Sequence, residues 1–263
     1  KKAEELMSDF KSPAYASKYA AQALLAKVYM YMSGTFENPN KEYAQLSYNY
    51  ANEVIESNQF SLLSRSTFMT YNELAPDAAS QTETIFAVKF IASDWDDWGS
   101  PLGSMYAEID GQGWGEVYAS AKYMDLLHET GKNTDAREAF IHPQYKKNDA
   151  GDQIPAFRFV ANLYTDGKIS GYVYRQGETK EVGGKLIATV DDEEYTLTPV
   201  DVDNKRYSIS YKGKTYVGDY DYLMLESQGN PKFYSYKCSK QEGYPHLYSP
   251  VISRLGELYL IRA

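Results

Sequence analysis

The chain has 263 residues, which is enough to bury a large core in one large domain or two small ones. Its 27 basic and 36 acidic residues give a net charge of −9. No stretch is rich enough in Lys or Arg to suit a phosphate backbone, which argues against nucleic acid as a partner. The single cysteine, Cys238, excludes an internal disulfide framework and a cysteine-rich zinc site.

The two ends of the chain carry no targeting signal. No apolar run approaches the ~20 residues that span a bilayer. The chain begins "KKAEEL" and ends "LYLIRA" inside a predicted helix. We therefore expect further chain beyond both ends, and any targeting signal to lie there.

Two helices are predicted near the N-terminus. Ser17 is a candidate N-cap for a helix over residues 17–32, because strong helix formers follow it. Leu24, Val28 and Tyr31 fall on one face of this helix at spacings of three and four. The segment "SGTFENPN" breaks the pattern, and a second helix is predicted over about 41–57.

This helix pair carries the phrases of a helical repeat. Residues 25–29, "LAKVY", and 44–48, "AQLSY", match the Leu-small-x-x-Tyr and Ala-x-x-x-aromatic phrases of tetratricopeptide helix pairs. A generic helical hairpin is the alternative, because Gln22 replaces the leading tryptophan of that motif. The first phrase recurs at residues 255–259, "LGELY". A lone first helix cannot bury its own face, so we predict a helical solenoid that the intervening residues interrupt.

The intervening residues have a different texture. The apolar run "ETIFAVKFIA" (83–92) predicts a buried extended segment. A helix is predicted over 119–131, with Gly131 as its C-terminal cap. From about 157 to 236 the sequence alternates in the manner of β-strands, and Tyr207 to Val217 predict a hairpin with Lys212-Gly213 at its turn.

Residues 93–100, "SDWDDWGS", are predicted to form a loop with two tryptophans among three aspartates. An exposed tryptophan covers the apolar C–H face of a sugar ring, while carboxylates accept hydrogen bonds from its hydroxyls. The alternative is that the rings pack down and pin the loop to the core. With a tyrosine from the Gly-rich stretch that follows, the candidate ligand-binding residues are Trp95, Asp96, Asp97, Trp98 and Tyr106.

The sequence contains no recognisable catalytic or metal-binding motif. It has neither a Gly-x-Ser-x-Gly elbow nor a phosphate-binding Gly-x-x-x-x-Gly-Lys loop, and His128, His142 and His246 are scattered. The stretch "DWDDWG" is not an EF-hand loop, because the position of its bidentate glutamate is occupied by Met105. We therefore predict no catalytic residues, no metal and no cofactor.

Five phrases in order resemble the SusD/RagB family of bacterial outer-membrane nutrient-binding lipoproteins. They are "ASKYAAQALLAKVYMYM", "YAQLSYNYANEVIESNQFSLL", "SQTETIFAVKF", "GQGWGEVYASAKYMDLLHETGKNTDAREAF" and "SPVISRLGELYLIRA". Their spacing resembles the family from its middle repeats to its last helical repeat, and residues 145–235 are the least distinctive. Asp135 and Arg137 resemble an Asp-x-Arg phrase of the family, which we interpret as a structural ion pair, and we expect Arg254 to pair internally.

The resemblance implies a mainly α fold, a tetratricopeptide-like helical scaffold with a loop-rich, partly β insert. In domain terms we expect residues 1–263 to be a single SusD-like domain fragment. Within it, residues 15–60 would form a helical hairpin repeat, 83–248 the insert, and 249–263 the start of a further helical repeat.

The resemblance also implies a function. We expect a non-catalytic, surface-exposed outer-membrane lipoprotein that binds a glycan and delivers it to a SusC-like TonB-dependent transporter. Its lipid anchor would lie outside this span. The alternatives are a tetratricopeptide-type scaffold for protein partners and, third, a carbohydrate-active enzyme.

Overall fold

The computed structural model describes residues 2–93, 99–129, 131, 132 and 134–263. It divides the chain into two compact units. One unit, called here the helical unit, comprises residues 1–114 and 237–263. The other, called the β-rich unit, is continuous in sequence and comprises residues 115–236.

Helices and strands occur in both parts of the chain. In the described residues the α-helices are α1 (Lys2–Leu6), α2 (Lys18–Met32), α3 (Lys41–Glu56), α4 (Arg65–Phe68), α5 (Pro101–Tyr106), α6 (Ala121–Leu127) and α7 (Leu255–Arg262). The strands are β1 (Thr84–Ala87), β2 (Ile141–Pro143), β3 (Pro155–Thr165), β4 (Lys168–Val182), β5 (Lys185–Val190), β6 (Glu193–Thr196), β7 (Thr198–Asp201), β8 (Arg206–Tyr211), β9 (Lys214–Tyr222), β10 (Glu226–Ser227), β11 (Asn230–Pro231), β12 (Phe233–Ser235) and β13 (Val251–Arg254).

Helices α2 and α3 begin at the residues that the sequence marks as caps. The Ser17 side chain accepts a hydrogen bond from the backbone N–H of Ala20 at 3.2 Å, and Asn40 does the same for Tyr43 at 3.2 Å. Each cap satisfies a backbone donor that has no partner within its own helix. Both helices lie within the ranges that the sequence predicts.

The core of the helical unit is built on small residues of α2 and α3. It joins these two helices to β1 and α7, and its buried members are Ala23, Ala26, Ala51, Val54, Ile55, Phe60, Ile85, Leu255 and Leu258. The alanines allow close approach: the Ser47 hydroxyl of α3 donates to the backbone oxygen of Ala26 at 2.7 Å. The larger Leu24, Val28 and Tyr31 occupy the other side of α2 and are 57%, 42% and 74% exposed.

The β-rich unit is organised around a seven-stranded antiparallel sheet with the strand order β6-β5-β4-β3-β9-β8-β7. The hairpin of β8 and β9 turns at Lys212 and Gly213, whose φ angles of 49° and 77° suit a two-residue turn with both residues left-handed. The predicted hairpin is therefore confirmed, including its turn residues.

The β-rich unit has two apolar clusters. One lies within the sheet itself, where its buried members are Phe157, Phe159, Ala161, Ala188, Val190, Leu197, Ile209 and Tyr211. The other joins α6 to β12 and the segment that follows β9, through Met124, Leu127, Met224 and Phe233. Strand β3 contributes to the first cluster and is buried along most of its N-terminal half, as expected for a strand with a neighbour on each side.

The prediction of a mainly α fold is wrong. Helices account for 31% of the chain and strands for 32%. The sequence phrases that resemble helical repeats are genuine helices, but they are confined to the helical unit. The region that the sequence presents as a partly β insert instead contains an extensive antiparallel sheet with a core of its own.

No helix in residues 2–93, 99–129, 131, 132 and 134–263 combines the length and the apolar character that crossing a bilayer requires.

Candidate functional site

The predicted ligand-binding residues divide into two groups. Trp95, Asp96, Asp97 and Trp98 lie outside the described residues. Tyr106 is described: it is the last residue of α5 and is half-buried. The candidate site is therefore built from the surroundings of Tyr106 in the helical unit.

Helix α5, which ends at Tyr106, is held in place by hydrogen bonds and close packing. The Ser104 hydroxyl makes a hydrogen bond of 2.7 Å with the Nδ1 atom of His246, and the Ser100 N–H donates to the backbone oxygen of the same histidine at 2.7 Å. A Cβ atom at Gly103 would lie only 2.0 Å from the backbone oxygen of Pro245, so only glycine fits there. These contacts hold α5 in one position against residues 245–248.

Tyr106 belongs to a group of tyrosines around Tyr248. Burial raises the pKa of the Tyr248 hydroxyl well above its ordinary value, and the nearby phenol groups of Tyr71 and Tyr106 raise it further. Tyr248 is therefore a neutral hydroxyl at physiological pH, which can both donate and accept a hydrogen bond.

Tyr71 and Tyr248 line a groove of about 650 Å³ in the helical unit. Its aromatic wall is formed by Phe68, Tyr71 and Tyr248, and its polar wall by Lys27, Glu83, Ser253, Arg254 and Glu257. The rings of Phe68 and Tyr71 are stacked, with centroids 5.0 Å apart and planes inclined by 16°. The guanidinium carbon of Arg254 lies 4.7 Å from the Phe68 centroid and 5.9 Å from that of Tyr71.

The polar wall is held by internal bonds. Glu83 is buried, and its two carboxylate oxygens accept the backbone N–H groups of Leu63 and Gly256, each at 3.1 Å. The second of these bonds satisfies a free N–H in the first turn of α7, where a negative charge is favoured. Lys27 and Glu257 form an ion pair of 2.6 Å. The groove is therefore preorganised rather than shaped by its ligand.

One polar group of the groove is left unsatisfied. The hydroxyl oxygen of Ser253 in β13 is buried and has no hydrogen-bond partner among the described residues. A buried hydroxyl without a partner costs about 1–3 kcal/mol. Aromatic faces beside fixed charges and hydroxyls can hold a ligand that is apolar on its faces and polar at its edges.

Within the part of the chain that the structure describes, no group of three or more His, Cys, Asp or Glu side chains is arranged to hold a metal ion.

Comparison with known proteins gives a fold. No protein-family model matches the chain, and no curated protein matches it. Among solved structures, a SusD superfamily protein from Parabacteroides distasonis ATCC 8503 aligns with 99% of the chain at a TM-score of 0.52 and 14% sequence identity. The chain has a SusD-like fold. The resemblance stated from the sequence phrases is therefore confirmed.

A second solved structure supports the SusD-like fold. It is named "Putative sugar binding protein", from Bacteroides vulgatus ATCC 8482, and it aligns with 99% of the chain at a TM-score of 0.50 and 16% identity. The chain spans 42% of the first of these proteins and 37% of the second, so it corresponds to about two fifths of their length.

The groove residues of this SusD-like chain were not predicted from the sequence. Phe68 and Tyr71 lie in "TFMTYNEL", a short stretch without periodicity. Arg254 was expected to pair internally, and its guanidinium does contact the rings of Phe68 and Tyr71, although it also lines the groove. The three-residue spacing of Phe68 and Tyr71, which places both rings on one side of a turn, is the signal that could have identified them.

Proposed function

We propose that the chain is part of a cell-surface glycan-binding protein that makes and breaks no covalent bond in its ligand. The observation that carries this proposal is the aromatic-walled, preorganised groove within a SusD-like fold. The name of one structural neighbour, a sugar binding protein, supports the same class of ligand. Stacked rings would cover the C–H faces of sugar residues, while Arg254 and Tyr248 would bond to their hydroxyls.

The predicted tryptophan loop remains part of this proposal. Trp95 and Trp98 would act as further stacking platforms, with Asp96 and Asp97 bonded to sugar hydroxyls and Tyr106 beside them. Tyr106 is near Tyr248, which lines the groove.

The location and partner are proposed from the family resemblance. The protein would be anchored to the outer membrane by a lipid outside this span, and it would pass its glycan to a SusC-like TonB-dependent transporter. Co-purification of the intact protein with that transporter from detergent-solubilised membranes tests this part separately from glycan binding.

The experiment that tests glycan binding is a titration of the protein with a panel of polysaccharides, followed by variants of the groove. We expect Tyr71→Ala and Phe68→Ala to weaken binding by about 1–3 kcal/mol each, if sugar stacking resembles base stacking on aromatic rings. Trp95→Ala and Trp98→Ala test the loop in the same assay.

The matched control is Tyr15→Ala, which removes a tyrosine of the same unit that is 55% exposed and does not line the groove. It should retain the affinity of the parent protein. The proposal is wrong if no polysaccharide binds, or if all four aromatic variants bind as tightly as the control. Release of reducing sugar at an enzymatic rate would overturn the non-catalytic part.

A further inference from the structure

The β-rich unit contains a separate cavity of about 450 Å³. Strands β2, β3, β9 and β12, helix α6 and the segment after α6 all contribute to its lining. Pockets for small ligands are typically about 300–1,000 Å³, so this one has the size for a single small ring rather than a chain.

One carboxylate organises the polar wall of the cavity. The Oδ2 atom of Asp221 accepts hydrogen bonds from Lys132 Nζ at 2.7 Å, from the Tyr145 hydroxyl at 2.7 Å and from Arg158 Nη2 at 2.9 Å. The Oδ1 atom of the same carboxylate makes no hydrogen bond with the described residues. The three donors are therefore gathered at one point on the cavity wall.

The same side chains retain unused hydrogen-bonding capacity. Lys132 uses one of the three donors of its ammonium group, on Asp221. Arg158 is only 6% exposed, and its hydrogen bonds go to Asp221 and to the backbone oxygen of Tyr222. Its guanidinium has five donors, so part of it is unpaired by protein. Free donors therefore lie beside a free carboxylate oxygen, an arrangement that suits hydroxyl groups, which donate and accept.

The charges that line the cavity are balanced. Lys132, Arg158 and His128 oppose Asp135, Glu138 and Asp221. His128 is held in its charged form because both of its ring nitrogens contact carboxylates, Asp219 at 2.6 Å and Glu138 at 2.8 Å. A ligand with a net charge would leave one charge in the cavity without a counter-charge, which is unfavourable.

Part of the cavity wall is apolar. Phe233 and Met124 are 2% and 5% exposed, and Ile141 and Pro143 also line the cavity. The guanidinium carbon of Arg158 lies 5.6 Å from the centroid of the Phe233 ring, so the apolar and polar groups adjoin. We propose that this cavity binds one neutral pyranose ring, whose hydroxyls bond to Asp221, Lys132 and Arg158 and whose C–H face lies on the apolar wall. This goes beyond the proposed function, because it gives the chain a second site, in the other compact unit, for a single sugar residue.

The test is saturation-transfer NMR of the protein with D-glucose, D-galactose and D-mannose, and with D-glucuronate and D-glucosamine as charged counterparts. A trisaccharide such as maltotriose tests whether the ring is bound free or as the end of a chain. We expect at least one neutral sugar to bind and the charged sugars to bind more weakly. We expect Lys132→Met to weaken binding about tenfold or more, because it removes a charge-assisted hydrogen bond.

Two further variants keep this test decisive. Ala139→Trp places a bulky ring at an exposed position of the cavity lining and should abolish binding without removing a charge. Lys180→Met is the control, because it removes a lysine of the same unit whose ion pair with Glu194 is at the surface. It should bind as the parent does.

Three results would overturn the proposal: no neutral sugar binds, a charged sugar binds more tightly, or both cavity variants bind as the control does. The groove proposal and the cavity proposal fail on different results. The groove proposal fails if Tyr71→Ala leaves polysaccharide binding intact, and this result does not depend on how Lys132→Met affects the binding of single sugars.

Discussion

His128 is the residue whose burial has the clearest physical consequence. Its side chain is 1% exposed, and its Nδ1 and Nε2 atoms contact Asp219 at 2.6 Å and Glu138 at 2.8 Å. Burial opposes the charged form, but the two hydrogen bonds to carboxylates outweigh it and raise the pKa of His128 above its ordinary value. Burial also opposes the charge of Asp219, yet His128, Arg158 and Arg206 hold the pKa of this carboxyl well below its usual range.

A pH dependence of stability follows from this geometry. Because the folded-state pKa of His128 is raised, its stabilising effect is complete below about 6.5, the pKa in the unfolded chain, and is lost as the pH rises through the folded-state pKa. We predict that the free energy of unfolding, measured by urea titration, decreases across this range. His128→Asn should lower it by about 3–5 kcal/mol below about pH 6.5, because the buried Asp219 and the partly buried Glu138 each lose a hydrogen-bonded cation.

The control for this prediction is His142→Asn. His142 is exposed, and its ring stacks on Tyr236 at 4.6 Å. This variant should retain the pH dependence of the parent, whereas His128→Asn should lose it. A parent protein whose unfolding free energy stays constant or rises above about pH 6.5 would contradict the assignment.

Some residue-level features could be predicted from the sequence. The Asp135–Arg137 ion pair was inferred from the resemblance to an Asp-x-Arg phrase of the family, and the Arg137 Nε atom does donate to Asp135 at 2.9 Å. The network around His128 could not be inferred, because its members are separated by up to 91 positions in the chain. Pairing of β3 with β9 places Arg158 opposite Asp219, and the C-terminal end of α6 brings His128 to the same carboxylate. A single sequence carries no signal of either arrangement.

At the scale of elements, local patterns predicted local structure. The helix caps and the hairpin turn at Lys212 and Gly213 are encoded within a few residues. The Ala-x-x-x-aromatic phrase at residues 44–48 was a poorer guide to which residues of α3 are buried. The buried small residues of α3 are Ser47 and Ala51, while Tyr48 is 44% exposed. The ring of Tyr29 instead stacks with the rings of Tyr43 and Tyr50, at centroid distances of 5.7 Å and 5.8 Å.

The sheet order was beyond sequence reasoning. Strand β3 pairs with β4 next to it in sequence, but also with β9, more than 50 residues further on. Its sequence "PAFRFVANLYT" shows no clean alternation, because Phe157, Arg158 and Phe159 are all buried. Arg158 in particular makes β3 unlike a central strand in sequence, because a charged residue is not expected to be buried there. Its burial depends on the ion pair with Asp221 of β9.

The close packing of β4 on β5 gives a prediction about a glycine. A Cβ atom at Gly177 would lie 1.8 Å from the backbone oxygen of Thr189 and 2.9 Å from the Val190 side chain, which belongs to the sheet core. Because backbone would have to move, we predict that Gly177→Ala lowers the free energy of unfolding by about 3 kcal/mol, measured by chemical denaturation.

Gly171 in the same strand is the matched control. A Cβ atom there would lie 3.6 Å from Leu163, an ordinary contact. Gly171→Ala should therefore leave stability unchanged or raise it slightly, because alanine reduces the entropy of the unfolded chain. Equal losses in the two variants would show that the effect belongs to glycine replacement in the strand and not to the space at Gly177.

At the scale of the whole molecule, the helical unit and the β-rich unit differ in how well the sequence predicts them. The helical phrases dominate the sequence because a repeat motif is recognised by a few spaced residues. A β-rich unit has no comparable phrase, since alternating residues occur in many strands. The resemblance therefore identified the SusD-like fold from its helices and underestimated the sheet that the same chain forms.

The last prediction is that residues 115–236 fold on their own. The seven-stranded sheet, both apolar clusters of the β-rich unit and the bonds from His128 to Asp219 and Glu138 are contained within this range. We expect the excised segment to give a β-type circular dichroism spectrum and a single cooperative unfolding transition. A shorter segment, residues 155–222, lacks Met124, Phe233 and His128, and should unfold without cooperativity because its second cluster and buried cation are lost. Absence of a cooperative transition in residues 115–236 would refute the prediction.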